Sequence, residues 1–337
     1  MLIIEYLARR LAFVIPLVVG IVLITFLIVR LGGQDAVGLL AGPMADEAQV
    51  KLITAELGLD KPLFEQFAIY VTNVLQGDLG VSWQSGQPVL DEILIRVAAS
   101  LELLLVSIVL GTLLGVPIGV RAALRPRGAF DQISRAVSLV SYSVPTYWMA
   151  LMALAIFFLA LGWAPAPMGR LDLAVFPPPF VTGSYLIDAL LIGDFDAVGS
   201  ALSHLVLPVS VFTTIVAAPI MKQTRAICLE VLSSDYIRLA RLYGYGRNKV
   251  WRMTLRNATV PIVTYIGSEL ATLLAAVALV ELVFSWGGLG QWGLNAILFG
   301  DFAAVQGYVL VLALFASTVY IIVDLIVLIA EPRAVTR

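Results

Sequence analysis

The chain carries six apolar runs long enough to cross a lipid bilayer, and no water-soluble fold can bury that much hydrocarbon. A spanning helix needs about 20 mostly apolar residues at about 1.5 Å each. Residues 11–29, 136–163 and 205–221 contain no charge. Residues 97–120 hold only Glu102, and residues 258–284 hold Glu269 and Glu281. Residues 302–323 are uncharged and continue past Asp324 to 330. Of the 337 residues, 60% are apolar and 13% charged, against about 45–50% and 25% in ordinary soluble domains. The expected fold class is therefore an all-α polytopic membrane protein with six transmembrane helices. Its net charge of −2 offers no basic field for nucleic acid. A single cysteine, Cys228, cannot form an internal disulfide, and a single histidine, His204, supplies too few ligands for a His-based zinc site.

Lys and Arg set the orientation, because cytoplasmic loops hold the excess. With the N-terminus inside, 16 of the 21 basic residues fall in inner segments; Arg30, Lys51, Lys61, Arg96 and Arg170 fall outside. Six spans put the C-terminus on the same side, so N-in/C-in is expected. Arg9 and Arg10 before an apolar run also fit a cleaved signal. The run exceeds the roughly 7–15 residues of a signal core and no A-x-A site follows, so a retained first helix is expected. The chain then divides into a tail and first span (1–32), an extracytoplasmic helical loop (33–96), a five-helix core (97–331) and a short cytoplasmic tail (332–337).

The loops are uneven. From Asp46 to Leu75 apolar residues recur at helical spacing (Val50, Ile53, Leu57, then Phe64, Phe67, Val71, Leu75), with Lys61-Pro62 where a second helix would start. Gly77-Asp78-Leu79-Gly80 reads as a turn. In the outer loop at 164–203, Pro177-Pro178-Pro179 excludes helix, and Tyr185–Ile192 is an amphipathic stretch suited to the interface. The inner loop at 222–257 holds eight basic residues against Glu230 and Asp235. Asp235 can cap a helix of about ten residues carrying Tyr236, Ile237 and Ala240, which stops at Gly244. A basic helix then leads into the membrane. A free helix of that length is marginal in water, so it needs a body to dock on, which favours a cytoplasmic partner.

Asp235-Tyr236-Ile237-Arg238-Leu239-Ala240-Arg241 with Gly244 resembles the EAA loop of ABC importer permeases. More narrowly, the chain resembles B-type subunits of the oligopeptide/dipeptide/nickel permease family over nearly its whole length. The other matching pieces, in order, are Leu57-Gly58-Leu59-Asp60-Lys61-Pro62, Gly77 to Ser82, Pro88-Val89, His204 to Pro208, Val283 to Gly290, and Asp324 with Glu331-Pro332-Arg333. Three places depart from the general pattern: Arg238-Leu239-Ala240 replaces Glu-Ala-Ala, Arg256-Asn257 replaces Leu-Pro, and Gly287 stands where proline is frequent. The first two are shared by peptide-type permeases and narrow the family.

The resemblance implies a type I, MetI-like importer fold that performs no chemistry of its own. It implies a sister permease completing a heterodimer, two ABC ATPase subunits beneath, and an extracytoplasmic binding protein. ATP and Mg would be held by the ATPase chains and no cofactor by this one. Asp235, Tyr236, Ile237, Arg238, Ala240, Arg241 and Gly244 would form the ATPase-coupling surface. Di- or oligopeptides are the expected solutes, with nickel, glutathione, opines and oligosaccharides as alternatives on the same machinery. Nickel is disfavoured because no span offers nitrogen ligands. The sequence contains no G-x-x-x-x-G-K-[ST] loop. An intramembrane enzyme would need a Ser/His, paired-Asp or metal set, and a secondary transporter more spans and internal repeats.

Glu269 stands about 16 Å into the fifth span, where a carboxylate faces a passage, water or a partner, or else pairs within the bundle. By the family likeness that span lines the passage. Glu281 lies nearer the outer end, able to snorkel or to serve in the passage. Asp324 suits a structural role between helices. Ser141, Ser143, Pro145, Thr146 and Tyr147 interrupt the third span and are either passage-lining groups or small-residue packing. Cys228 is expected to be inert.

Overall fold

The computed structural model describes residues 60–330 continuously, residues 18–27, and positions 12, 15, 16, 46, 48, 51, 54 and 55. Among the described residues most are helical, and no strand occurs beyond one isolated antiparallel bridge between Val81 and Pro88. In chain order the helices are α1 (Val18–Leu27), α2 (Leu63–Leu75), α3 (Val89–Leu124), α4 (Ala129–Ser143), α5 (Thr146–Ala153), α6 (Tyr185–Ile192), α7 (Phe195–Ser233), α8 (Asp235–Leu242), α9 (Arg247–Phe284), α10 (Leu289–Phe299) and α11 (Phe302–Ala330).

Among them α3, α7, α9 and α11 are long and apolar enough to cross a membrane. α7 runs for 39 residues and α9 for 38, about 58 Å each at 1.5 Å per residue. Each exceeds the apolar run that marks it because its polar ends continue as helix beyond the hydrocarbon. α1 lies inside the first apolar run; most of the remainder of that run, and most of the first of the two helices expected in the long outer loop, lie outside the described residues. The second of those helices, α2, begins directly after Pro62.

The third apolar run, expected as one span interrupted around Pro145, is bent sharply there. α4 and the arm from Thr146 to Ala160 meet at 100°. The cause is local. Proline disfavours helical geometry in the residue before it; Val144 is extended (φ −85°, ψ 126°) and Pro145 caps the next helix. The second arm ends in π-helical turns over Leu154–Ala160.

The described residues form two compact units. One comprises residues up to Ala98 together with Gly288–Ser317. In it Val89, Ile93, Leu289, Ala296, Ala304 and Tyr308 make a buried apolar cluster. Asp301 caps α11 through the Ala304 amide (3.2 Å) and accepts a hydrogen bond from the Ser82 hydroxyl (2.5 Å). Glu92 accepts from the Trp292 indole (3.0 Å) and pairs with Arg96 (2.9 Å). α10 was not anticipated from the sequence, although Gly288 before it and Gly300 after it (φ +70°) bracket an apolar stretch.

The second unit comprises Ala99–Gly287 with the residues from Thr318. α9 and α4 both pack on α7, and α5 packs on α9. Gly111, Gly115 and Gly119 recur every four residues on α3, and a Cβ there would meet Val216, the Ala217 carbonyl and the Met221 carbonyl at 2.6, 2.9 and 2.6 Å. In lipid, where hydrophobic attraction between helices vanishes, such close backbone approach is what holds helices together. Glu281 does not snorkel. It is fully buried and accepts a hydrogen bond from the Ser100 hydroxyl.

In the same unit, α6 occupies the predicted stretch, capped by the Ser184 hydroxyl and ended by left-handed Gly193. Asp188 is buried there, which pushes its carboxyl pKa up. The Thr182 hydroxyl (2.7 Å) and the amides of Thr182, Val181 and Gly183 (2.8, 3.2 and 3.0 Å) outweigh that and hold it below the ordinary value. A depressed carboxylate stabilises the fold above its unfolded pKa, about 3.9, and that contribution disappears as pH falls through the lower folded value. Asp188→Asn is expected to lower the melting temperature at neutral pH, with the gap to wild type closing toward strong acid. Thermal scans across pH check this; a gap that does not change with pH would contradict it.

His204 is buried, with Nδ1 2.9 Å from the Ser200 carbonyl and Nε2 3.8 Å from Asp172. Gly287 has φ +73° and follows left-handed Ser285 (φ +52°). Proline cannot adopt positive φ, so this turn as it stands requires the glycine.

Candidate coupling surface and passage

α8 is an eight-residue helix between the ends of α7 and α9. Its N-cap is Ser234 rather than the expected Asp235. Asp235 is the first helical residue, where its charge complements the exposed amides. The Ser234 hydroxyl donates back to the Val231 carbonyl (2.5 Å) and makes no capping bond.

The helix has two faces. Ile237 and Ala240 are buried and tie it to α7 and α9. Tyr236, Arg238, Leu239 and Arg241 are exposed on the other side, followed by Leu242 and Tyr243. Of the residues expected to couple, Ile237 and Ala240 thus anchor the helix, while Asp235, Tyr236, Arg238 and Arg241 lie open. Leu239 and Tyr243 belong to the same open surface and were not singled out from the sequence, although their i, i+4 spacing with Asp235 places them together.

The helix ends as the glycine suggested. The Gly244 amide bonds the Arg241 carbonyl (3.0 Å) and the Tyr245 amide bonds the Ala240 carbonyl (3.1 Å), the Schellman pair. Gly244 sits at φ +74°, with no atom within 4 Å of where a Cβ would be. Its requirement is therefore conformational and not spatial. Beyond Gly246, α9 starts and runs without a break into the membrane, Pro261 included. A displacement of α8 accordingly has a rigid path along α9.

Some 22 residues along α9 from its start stands Glu269, half-buried. Tyr265, one turn earlier, hydrogen-bonds it and also feels Tyr142 near the end of α4. Ser141 and Thr146 are half-buried, while Ser143 and Tyr147 are exposed on either side of the 100° bend. The Ser143 hydroxyl donates to the Leu139 carbonyl (2.8 Å), one turn back along α4. α5, which carries Thr146 and Tyr147, packs on α9. Gly267 faces α11 so closely that a Cβ would lie 2.0 Å from Val323.

Comparison with known proteins bears on what such a helix bundle serves. Residues 115–336 match the family described as binding-protein-dependent transport system inner membrane component, and residues 3–104 match the N-terminal family of the same components. The dipeptide transport system permease protein DppB of Escherichia coli (strain K12) is 39% identical over 335 residues, covering 98% of both chains. The di/tripeptide transport system permease protein DppB of Pseudomonas aeruginosa (strain UCBPP-PA14) is 39% identical over 331 residues, again 98% of both. The glutathione transport system permease protein GsiC of Escherichia coli O6:H1 is 31% identical over 324 residues, 96% of each. With two family models spanning its length and relatives matched end to end, the chain belongs to the binding-protein-dependent transport system inner membrane components, as a multi-pass permease of an ABC importer in the bacterial inner membrane.

Proposed function

We propose that this permease forms half of a passage for di- or oligopeptides. The observation that carries the reading is α8: a short helix anchored by Ile237 and Ala240, open on the opposite face, and continuous through one turn with a membrane-crossing helix. The relatives matched end to end, dipeptide and di/tripeptide permeases, support peptides as the solute. Six spans with both termini inside remain the orientation supported by 16 of 21 basic residues. α8 then faces the cytoplasm. Its open face docks on an ATPase subunit, two such subunits supply ATP and Mg, a sister permease completes the passage, and a binding protein delivers solute outside. This chain contributes no nucleotide site and holds no cofactor.

ATP-driven closure of the ATPases would draw α8 with them, and α9 would carry the motion to the segment around Glu269. No bond is made or broken in this chain; its residues do mechanical and electrostatic work. The mass of the intact complex tests the assembly: one copy of this chain beside one sister subunit and two ATPases is expected, and two copies with no sister would overturn the heterodimer.

Glu269, Ser141, Ser143, Thr146 and Tyr147 are the proposed lining of the passage. An ionised carboxylate there attracts peptide amino groups and basic side chains and repels acidic ones. Glu269→Gln keeps shape and removes the charge. It is expected to lower uptake of cationic peptides relative to anionic ones severalfold, as the loss of about 1 kcal/mol of attraction would, with complex yield unchanged. Competition uptake with charge-varied peptides measures the ratio. Loss of assembly instead would mean that Glu269 is a buried partner of the sister chain, since stranding its counter-charge costs several kcal/mol.

A further inference from the structure

Between α4 and α7 lies a groove of about 920 Å³ lined by none of the residues proposed for the passage or the coupling surface. Four basic residues line it: Arg127, Arg135, Lys222 and Arg225. No carboxylate is among its lining residues. Asp131, near the start of α4, is buried, and its charge acts on both Arg225 and Arg135. Both its oxygens accept from the Arg225 guanidinium, and Oδ2 also accepts from the Arg127 amide (2.8 Å). That network holds Arg127 in a left-handed conformation (φ +64°), unusual for a residue other than glycine. Arg225 is thereby neutralised. Among the described residues, Arg135 and Lys222 make no ion pair, and both are exposed.

The remaining wall is apolar: Ala136, Leu139, Tyr142 and Met221. It is continuous with an exposed hydrocarbon face of α4 formed by Ile133, Val137 and Val140. The Lys222 ammonium lies 5.9 Å from the Tyr142 ring, which places a cation directly beside that wall. A small soluble anion has no use for the hydrocarbon, and a neutral lipid none for the uncompensated charge.

The geometry points to an anionic phospholipid, its phosphate between Arg135 and Lys222 and an acyl chain along Leu139, Tyr142 and the exposed face of α4. Basic pockets between membrane helices hold acidic headgroups in this way. The Asp131–Arg225 pair is then a support that fixes the distance between the two helices, and not itself a ligand. The placement in the cytoplasmic leaflet rests on the orientation proposed above, whereas binding does not depend on it.

The test is native mass spectrometry of the complete permease–ATPase complex from nanodiscs of phosphatidylglycerol and phosphatidylcholine in equal amounts, for wild type and for R135Q/K222Q. Wild type is expected to retain phosphatidylglycerol over phosphatidylcholine. The double variant should retain it roughly thirtyfold less, as expected when two charges near an acidic headgroup are removed, with subunit stoichiometry intact. Equal retention by both proteins would overturn the assignment. So would displacement of the lipid signal by millimolar inorganic phosphate alone, which would mark a free-phosphate site. Loss of the sister subunit from the variant with no change in lipid would mark the groove as a protein interface and also overturn it. Because nanodisc binding is independent of sidedness, a reversed orientation would show separately, in labelling of Y243C from the wrong face.

Discussion

Gly119→Val is expected to leave almost no assembled permease in the membrane. A Cβ at Gly119 would stand 2.6 Å from the Met221 carbonyl, 2.8 Å from the Thr224 Cβ and 3.1 Å from the Arg225 amide. Two of these are backbone atoms of α7, so no rotamer change relieves them and α3 must move bodily. That exceeds the roughly 1–3 kcal/mol of ordinary overpacking, and α7 also carries Arg225, the partner of Asp131. Gly267 provides the control, because its clash is with the Val323 side chain alone. Gly267→Ala should lower the yield of folded complex and Gly267→Ala/Val323→Ala should restore it, whereas no single change on α7 should rescue Gly119→Val. Size-exclusion yield after mild detergent extraction reads both; normal yield for Gly119→Val would remove the close-packing account of α3 and α7.

Gly244→Val should have the opposite profile, with normal assembly and failed coupling. A non-glycine residue at φ +74° costs about 1–2 kcal/mol, and more when β-branched. The strain falls on the two hydrogen bonds that end α8, and an eight-residue helix has little stability of its own to absorb it. If only the intact turn couples, solute-stimulated ATP hydrolysis and transport should fall roughly tenfold, since each 1.4 kcal/mol is a factor of ten. Arg238→Glu, which reverses a charge on the open face without touching the turn, should lower the same two activities. Gly244→Asn, which tolerates left-handed geometry, should retain most of them. Wild-type coupling in the valine and glutamate variants would remove α8 from the drive train.

What the sequence disclosed follows from where the relevant physics acts. Apolar runs located the long helices because hydration alone demands them, and Pro62 and Gly244 marked helix ends because backbone geometry at those residues is nearly independent of context. The residues around Pro145 were recognised as an interruption, but not as a 100° bend, since the angle depends on what the two arms pack against. The cap of α8 was placed one residue late: Ser234 and Asp235 are both good caps, and only the backbone decides between them. Glu281 looked free to reach the interface because its partner, Ser100, lies 181 residues away. The Gly111, Gly115 and Gly119 spacing was legible and went unused; small residues every fourth position in an apolar run are the signal for close helix contact. Tyr236, Arg238 and Arg241 were expected on the coupling surface through the family resemblance, but the division into an open side, which Leu239 and Tyr243 share, and a buried one needs the packing of Ile237 and Ala240.

The most direct measurement is ATP-driven dipeptide accumulation in proteoliposomes containing this chain, its sister permease, both ATPase subunits and the binding protein. The expected result is uptake against a gradient that requires ATP and is lost when this chain is omitted or carries Gly244→Val. ATP-dependent uptake that proceeds undiminished without this chain, or dipeptide uptake by this chain alone without ATP, would contradict the importer account at its centre.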